Sequence, residues 1–200
     1  MKIAALAAAL FISTNAWAGL LDYGLVSGFS IIVPDNWQVI PDPVMRGMAA
    51  KVHAARPDTL VPDFSYGFQA NAGDWFSLPY CLLRVTKTGK MPEEKLAELP
   101  KVDFSKVTDS GHSSRQQVIV SAEGGKEIFD PATHIIWFTS KMDLPEGGEM
   151  GVLVGSVQTE QGALSLYCYA PRESFDNFKP LFIQMIESIH PVEALRYKSH

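Results

Sequence analysis

A stripe of large apolar residues near the C-terminus constrains the fold more than any other feature of this sequence. Its residues recur at steps of three and four, which is the spacing of one face of an α-helix, and they are Phe175, Phe178, Phe182, Met185 and Ile189. A helix with one wide apolar face must bury that face against another element. The sequence therefore predicts a closing amphipathic helix that packs on a sheet formed by the residues before it.

Short runs rich in β-branched and aromatic residues predict the strands of that sheet. They are expected at 28–33, 80–86, 116–121 and 133–139, and in the pair 151–158 and 163–170, which residues 159–162 would join as a hairpin. The apolar residues 45–55 are interpreted as one more strand. A short helix is expected between Pro92 and Pro100, because Glu93 and Glu94 suit the positive end of its dipole. This pattern favours an α+β fold.

Two short motifs in the chain resemble one known family. Residues 29–37, FSIIVPDNW, are similar to the F-x-I-x-x-P-x-x-W opening of the Mog1/PsbP-like family. Residues 178–189, FKPLFIQMIESI, resemble the closing helix of that family. The resemblance covers nearly the whole chain after residue 18 and implies a bacterial periplasmic member. Its implied fold is an α/β/α sandwich around a mainly antiparallel sheet, closed by a C-terminal amphipathic helix.

The resemblance implies binding rather than catalysis. The family includes an oxygen-evolving photosystem subunit, a nuclear-transport cofactor and many bacterial envelope proteins, and most known members are binding or assembly factors. It has no shared catalytic motif, so the resemblance implies no catalytic residue in this chain.

The first 18 residues predict a secretory signal peptide. Lys2 precedes ten apolar residues at 3–12, and AWA at 16–18 is a small-x-small cleavage site. The alternative is a membrane anchor, which would need roughly 20 apolar residues. We therefore expect export to the periplasm, with no membrane span after cleavage.

The net charge of the chain indicates which classes of partner it is expected to bind. It carries 17 Lys and Arg against 22 Asp and Glu, which gives a formal net charge of −5. Nucleic-acid binding needs clustered Lys and Arg, so nucleic acid is not expected as a partner. The part after the signal peptide is long enough for one domain with a sizeable core. That domain is expected at 19–200, with a loose tail after residue 190.

The two cysteines, Cys81 and Cys168, predict a disulfide bond. An even number of cysteines in an oxidising compartment favours pairing. The alternative is two separate buried thiols, since a free cysteine packs as a small hydrophobic residue. Both cysteines lie in apolar segments that read as strands, LPYCLLRV and LSLYCYA. Two cysteines this far apart in sequence do not indicate a metal site.

The segment 63–76, DFSYGFQANAGDWF, is the best candidate for contact with a partner. It holds five aromatic residues, and exposed Tyr and Trp within a polar rim are typical anchors of protein interfaces. The acidic residues around 146–149 are a second candidate. Together the predicted partner-binding residues are Tyr66, Phe68, Trp75, Phe76, Glu146 and Glu149. The alternatives are that aromatics 64, 66 and 68 form one face of a buried strand and that the acidic residues form a solvated turn.

The sequence contains no motif of a familiar catalytic class. GxSxG, GxGxxG, the Walker A loop and HExxH are all absent. A Ser-His-Asp set could be composed from His112 with its neighbouring serines, His134 and Asp130, but His112 better fits a solvated loop and His134 better fits the end of a strand. No catalytic residue, cofactor or metal is expected.

These features favour a periplasmic, non-enzymatic factor that binds another protein. One specific form is an immunity protein that neutralises a toxin delivered to the periplasm. An envelope accessory or assembly factor is a first alternative, in which the partner is an envelope component. A periplasmic hydrolase with an unrecognised site is a second.

Cleavage after Ala18 is testable on protein isolated from the periplasm. N-terminal sequencing is expected to begin at Gly19, because a signal peptidase cuts directly after the small-x-small site. A chain that retains Met1, or that stays in the cytoplasm, would contradict both the export and the oxidising environment assumed for the cysteines.

Overall fold

An antiparallel sheet forms the centre of the fold. The computed structural model describes residues 20–21, 28–55, 63–98, 122–124, 128–143 and 148–199. The strands are β1 (Leu20–Leu21), β2 (Phe29–Ile32), β3 (Gln38–Val39), β4 (Tyr66–Gln69), β5 (Tyr80–Thr86), β6 (Ala122–Gly124), β7 (Ile128–Asp130), β8 (Ile135–Asp143), β9 (Glu149–Thr159), β10 (Gly162–Pro171) and β11 (His190–Pro191). The helices are α1 (Asp42–Ala55), α2 (Glu93–Glu98) and α3 (Phe175–Glu187). Each described strand pair is antiparallel, so the predicted α+β class is confirmed.

Strands β9 and β10 form the hairpin at the middle of the large sheet. Thr159 pairs with Gly162 at the turn, and the register continues to Met150 opposite Pro171. Strand β5 pairs with the other edge of β10, and β8 with the other edge of β9. The strand order is β3-β4-β5-β10-β9-β8-β6, with β7 also paired to β8, and a smaller sheet has the order β1-β2-β11. The predicted hairpin is confirmed.

Helix α3 covers one face of the large sheet. Its residues Phe182, Met185 and Ile186 are each fully buried, at 0% exposure. They share one core cluster with alternate residues of β10, from Leu164 to Ala170, because every second side chain of a strand points to the same face. The apolar stripe of the sequence is therefore the buried face of this helix, as predicted.

Two glycines of β9 allow α3 to lie close to the sheet. A Cβ atom at Gly151 would overlap the ring of Phe175, and one at Gly155 would overlap the side chain of Ile186. Side chains on β9 would otherwise hold the helix away at these points. The packing of α3 thus needs small residues on the strand beneath it.

Helix α1 lies on the opposite face of the sheet. Leu82 of β5 stands between Cys81 and Leu83, which belong to the core under α3, so alternation turns Leu82 to the other side. There it packs with Ile40 and with Met45 of α1. The described residues therefore include helices on both faces, which is the predicted α/β/α arrangement.

The interpretation of residues 45–55 as a strand is wrong. These residues belong to α1, which begins at Asp42. Proline is well tolerated in the first turn of a helix, where Pro43 lies. Val44 and Met48 stand four residues apart and pack in the same cluster, which is a helical spacing rather than an alternation.

The opening and closing motifs of the sequence meet in the core. The rings of Trp37 and Phe182 pack edge to face, with centroids 6.4 Å apart. The Ser188 hydroxyl accepts a hydrogen bond from the Ile32 amide at 2.9 Å and donates one to the Met185 carbonyl at 2.7 Å. The end of α3 is therefore tied to the first strand of the core.

The segment after residue 190 is packed, which corrects the prediction of a loose tail. Tyr197 is only 8% exposed, and its hydroxyl donates a hydrogen bond to the Met91 carbonyl at 2.7 Å. The Leu195 carbonyl accepts a hydrogen bond from the Glu160 amide at 3.0 Å. The Lys198 amide donates to the Glu160 carboxylate at 2.9 Å. The tail therefore binds the turn of the central hairpin.

Several predictions fall outside the described residues. They are the signal peptide at 1–18, the strand at 116–121 and the partner-binding role of Glu146. Among the residues that the structure describes, no helix has the length and apolarity that crossing a membrane requires.

The close seating of α3 predicts that Gly155→Ala destabilises the protein. The added methyl group has to displace Ile186 in a packed core, which typically costs about 1–3 kcal/mol. Gly73→Ala is the matched control, because a Cβ at Gly73 would meet nothing within 4 Å. Urea unfolding of both variants measures the difference. Equal free energies of unfolding would mean that α3 is not held against β9 as described.

Candidate functional site

The predicted partner-binding aromatics divide between the core and the surface. Phe68 is fully buried, at 0% exposure, under α3. Tyr66 lies on the same face and packs edge to face on Phe29, with centroids 5.8 Å apart. The prediction that Phe68 contacts a partner is therefore corrected, and Tyr66 belongs with the core cluster. These two residues therefore lie on the buried face of a strand, which is the alternative interpretation.

Trp75 is at the surface, in the loop 70–79 between β4 and β5. Its side chain is 38% exposed, which places it among the few exposed large hydrophobic residues of the described chain. The residues before it, 71–74, are also exposed. The expectation that the turn at 71–74 lifts Trp75 to the surface is confirmed, and its contact with a partner stays a prediction.

The buried side chain of Gln69 holds this loop in place. Gln69 has 0% exposure, and its amide nitrogen donates to the Asn71 carbonyl at 2.6 Å. Its amide oxygen accepts from the Phe76 backbone at 2.8 Å. Asn71 in turn donates from its side chain to the Leu78 carbonyl at 2.9 Å. One buried amide thus joins both ends of the loop.

Sequence reasoning missed Gln69. The available signal is a polar residue that directly follows the apolar run of a strand, at the point where a loop begins. A buried amide must have hydrogen-bond partners, and at the end of a strand the backbone of the adjoining loop can supply them. Such a residue is therefore a candidate for loop support.

Phe76, next to Trp75, has a strained backbone. Its φ of 67° lies in the left-handed region, where a non-glycine residue costs of order 1–3 kcal/mol and persists only when its surroundings hold it. The hydrogen bond to Gln69 fixes its amide. Its ring packs edge to face on Tyr80, with centroids 5.8 Å apart. The loop therefore has one held conformation around Trp75.

Two tyrosines beneath the loop remain uncharged. The rings of Tyr80 and Tyr169 are stacked, with centroids 4.8 Å apart. Burial raises the pKa of Tyr80 to about 12, and burial together with the neighbouring Tyr80 raises the pKa of Tyr169 further above its usual range. Both phenols are therefore neutral at physiological pH and support Phe76 as aromatic packing.

Glu149 lies at the same end of the sheet as the Trp75 loop. The register places Tyr80 of β5 opposite Tyr169 of β10, and Tyr169 opposite Val152 of β9. Glu149 starts β9 and is exposed. The structure therefore brings the exposed carboxylate and the exposed indole of the predicted set to one end of the sheet.

The two cysteines lie directly opposite each other on β5 and β10. Both are fully buried thiols, and their Sγ atoms are 2.8 Å apart. A disulfide bond is about 2.05 Å long, so the sulfur atoms are adjacent but not bonded, and the disulfide stays a prediction. Burial raises the pKa of Cys81 well above its usual value. A buried, protonated thiol is poorly suited to act as a nucleophile.

His134 has a serine within hydrogen-bonding distance, which bears on the hydrolase alternative. Its Nε2 atom lies 3.2 Å from the Ser199 hydroxyl, and its ring stacks on Tyr197. Asp130 instead accepts hydrogen bonds from the Thr133 hydroxyl at 2.7 Å and the Ala132 amide at 2.9 Å. These bonds, led by the one from Thr133, lower the pKa of Asp130. The Asp130 carboxylate thus stabilises the turn that follows it. The contacts of His134 with Ser199 and Tyr197 hold the C-terminal tail in place.

The described residues contain no group of three or more His, Cys, Asp or Glu side chains that could hold a metal ion.

Comparison with known proteins finds similar chains among solved structures. No protein-family model and no curated protein sequence matches this chain. The solution structure of cyanobacterial PsbP (CyanoP) from Synechocystis is similar, with 13% sequence identity and a TM-score of 0.45, over 82% of this chain and 87% of that chain. Membership of the Mog1/PsbP-like family, as a bacterial periplasmic protein, stays a prediction.

The adjacent thiols lead to a test of the predicted disulfide. In protein purified from the periplasm without reductant and then denatured, a thiol reagent is expected to find no free thiols, because the pairing of β5 with β10 brings the two thiols together during folding in an oxidising compartment. The same protein, reduced while denatured and then freed of reductant, should give two thiols per chain and serves as the control. Two reactive thiols in the untreated protein would refute the bond.

Proposed function

We propose that this protein is a secreted, periplasmic, non-enzymatic factor that binds another protein through the Trp75 loop, residues 70–79. The observation that carries the proposal is the buried Gln69 side chain, which fixes a loop whose outermost large residue is an exposed tryptophan. Tryptophan is among the residues most often found as binding hot spots. A loop held in one conformation before binding loses little entropy when a partner docks.

The conformation of the Trp75 loop costs folding free energy, which is expected where a loop has a function. Its support takes a buried side chain whose hydrogen bonds are spent on the loop and a residue in the left-handed region, and the second of these costs folding free energy. A flexible surface loop would need neither. Strained backbone that the surroundings hold is concentrated at functional sites, which supports a binding role for the neighbouring tryptophan.

We further propose that the partner is basic, as a toxin neutralised by an immunity protein would be at its contact surface. The exposed Glu149 lies at the same end of the sheet as Trp75, and the chain has a formal net charge of −5. Complementary charge mainly increases the rate of association. Immunity predicts one tight stoichiometric partner, whereas an envelope accessory factor would be recovered with several envelope components.

The Trp75→Ala variant tests the proposed binding site. The partner is first captured from periplasmic extract with the wild-type protein, identified by mass spectrometry and purified. Removal of a tryptophan anchor is expected to cost about 2 kcal/mol of binding free energy or more, which is roughly thirtyfold in affinity. Urea unfolding should change little, because the ring is exposed.

A control variant separates the loop from general surface effects. Ile128 in β7 is 58% exposed, so Ile128→Ala removes an exposed apolar side chain elsewhere and should leave the affinity unchanged. If Trp75→Ala lowers the free energy of unfolding and leaves binding intact, the indole is structural and the proposal fails. Turnover of a substrate without any captured protein would favour the hydrolase instead.

A further inference from the structure

A cavity of about 370 Å³ lies at the hairpin end of the large sheet, opposite the end that carries the Trp75 loop. Its floor includes Val85 at the end of β5 and Leu164 at the start of β10, and Leu195 of the C-terminal tail forms part of a wall. This volume is at the lower end of the range of ligand-binding sites, roughly 300–1,000 Å³. The cavity has the size for a small molecule.

The wall formed by the tail is held by backbone hydrogen bonds. The Leu195 carbonyl accepts from Glu160 at 3.0 Å, and the Val192 amide donates to the Gly28 carbonyl at 2.7 Å. Gly28 has a φ of +73°, and a Cβ there would lie 2.7 Å from the Leu195 side chain. The glycine therefore lets the tail approach closely, and the cavity exists because the tail is bound in this position.

The rim of the cavity is fixed by the turn of the hairpin. The Gly89 amide donates to the Gln161 carbonyl at 3.0 Å, and the Gln161 amide donates to the Thr159 hydroxyl at 3.2 Å. Glu160, between them, is ion-paired with Lys90 at 3.0 Å. The Glu160 carboxylate therefore already has partners in Lys90 and the Lys198 amide. Hydrogen bonds fix the backbone at the rim.

The lining combines an apolar floor with polar groups at its edge. Lys87 is the one charged residue among the described lining residues, and no described carboxylate is ion-paired with it. Ser65, Thr86 and Thr159 also line the cavity. Thr159 is only 5% exposed, and its hydroxyl accepts one hydrogen bond, so its proton remains to be donated. The lining therefore carries one positive charge and polar residues beside it.

We propose that this cavity binds a small carboxylate with a short apolar body, with the carboxylate at Lys87 and the apolar part on Val85, Leu164 and Leu195. An ammonium group and hydroxyl donors suit an anionic oxygen, and the aliphatic floor suits a hydrocarbon chain. Lys87 is exposed at the edge of the cavity, so a neutral ligand gains no charge attraction there and a cationic ligand is repelled. The site is independent of the protein-binding loop at the other end of the sheet.

Hexanoate is the probe for this site, and hexan-1-ol is its neutral counterpart. Backbone amide shifts in NMR spectra of the purified protein report both where and how tightly each binds. With so few ligand atoms, the dissociation constant of hexanoate is expected to be on the order of 1 mM. The amides of residues 85–87, 159–164 and 195 should move, and those of the loop 70–79 should not.

Three variants test whether the carboxylate of hexanoate binds at Lys87. Lys87→Met keeps an unbranched side chain but removes the charge, so hexanoate should bind about tenfold more weakly, while hexan-1-ol is unaffected. Thr86→Val removes a hydroxyl that strand alternation turns to the opposite face of the sheet from Val85, so hexanoate binding should be unchanged. Lys179→Met removes a charge from α3, outside the cavity, and should change neither.

The outcomes are distinct. A selective loss of hexanoate in Lys87→Met, with Lys179→Met unchanged, supports the proposal. Equal weakening in both lysine variants would mean attraction by overall charge and would overturn it. The absence of amide shifts around the cavity at millimolar hexanoate would overturn it as well.

Discussion

The close contact between α3 and β9 is the interaction on which the rest of the structure depends. Gly151 and Gly155 leave room for Phe175 and Ile186, and this brings Phe182 into contact with Trp37 from the opening segment. Packed interiors tolerate little change in volume, so the position of the helix fixes which side chains of the sheet are inside. The two glycines of β9 thereby allow the opening segment and the closing helix to pack in one core.

Helix α3 covers the middle of one face of the sheet. The loops and the tail that form the candidate sites therefore lie at the two ends of the sheet. At one end, the buried Gln69 holds the Trp75 loop. At the other end, the C-terminal tail and the hairpin turn surround a cavity that includes Lys87. Binding sites are commonly carried by loops that a rigid scaffold positions. In this chain both candidate sites follow that plan, and each depends on backbone held by hydrogen bonds.

Prediction from the sequence succeeded where the signal is local and strong. The stripe from Phe175 to Ile189 gave α3, and two branched segments with a short connection gave the β9–β10 hairpin. It failed at 45–55, where an apolar run was interpreted as a strand although its spacing suits a helix. It also failed after residue 190, because the bonds that hold the tail come from Met91 and Glu160, far away in sequence.

The sequence by itself determined the closing helix, the central hairpin and the exposure of Trp75 after its turn, because periodicity and turn chemistry act over a few residues. Only the tertiary structure decided that Phe68 is core while Trp75 is surface, and that Cys81 meets Cys168. The same holds for the support of the loop by Gln69 and for the cavity beside Lys87. These features depend on which strands become neighbours and which face α3 covers, and such contacts join residues that no local pattern connects.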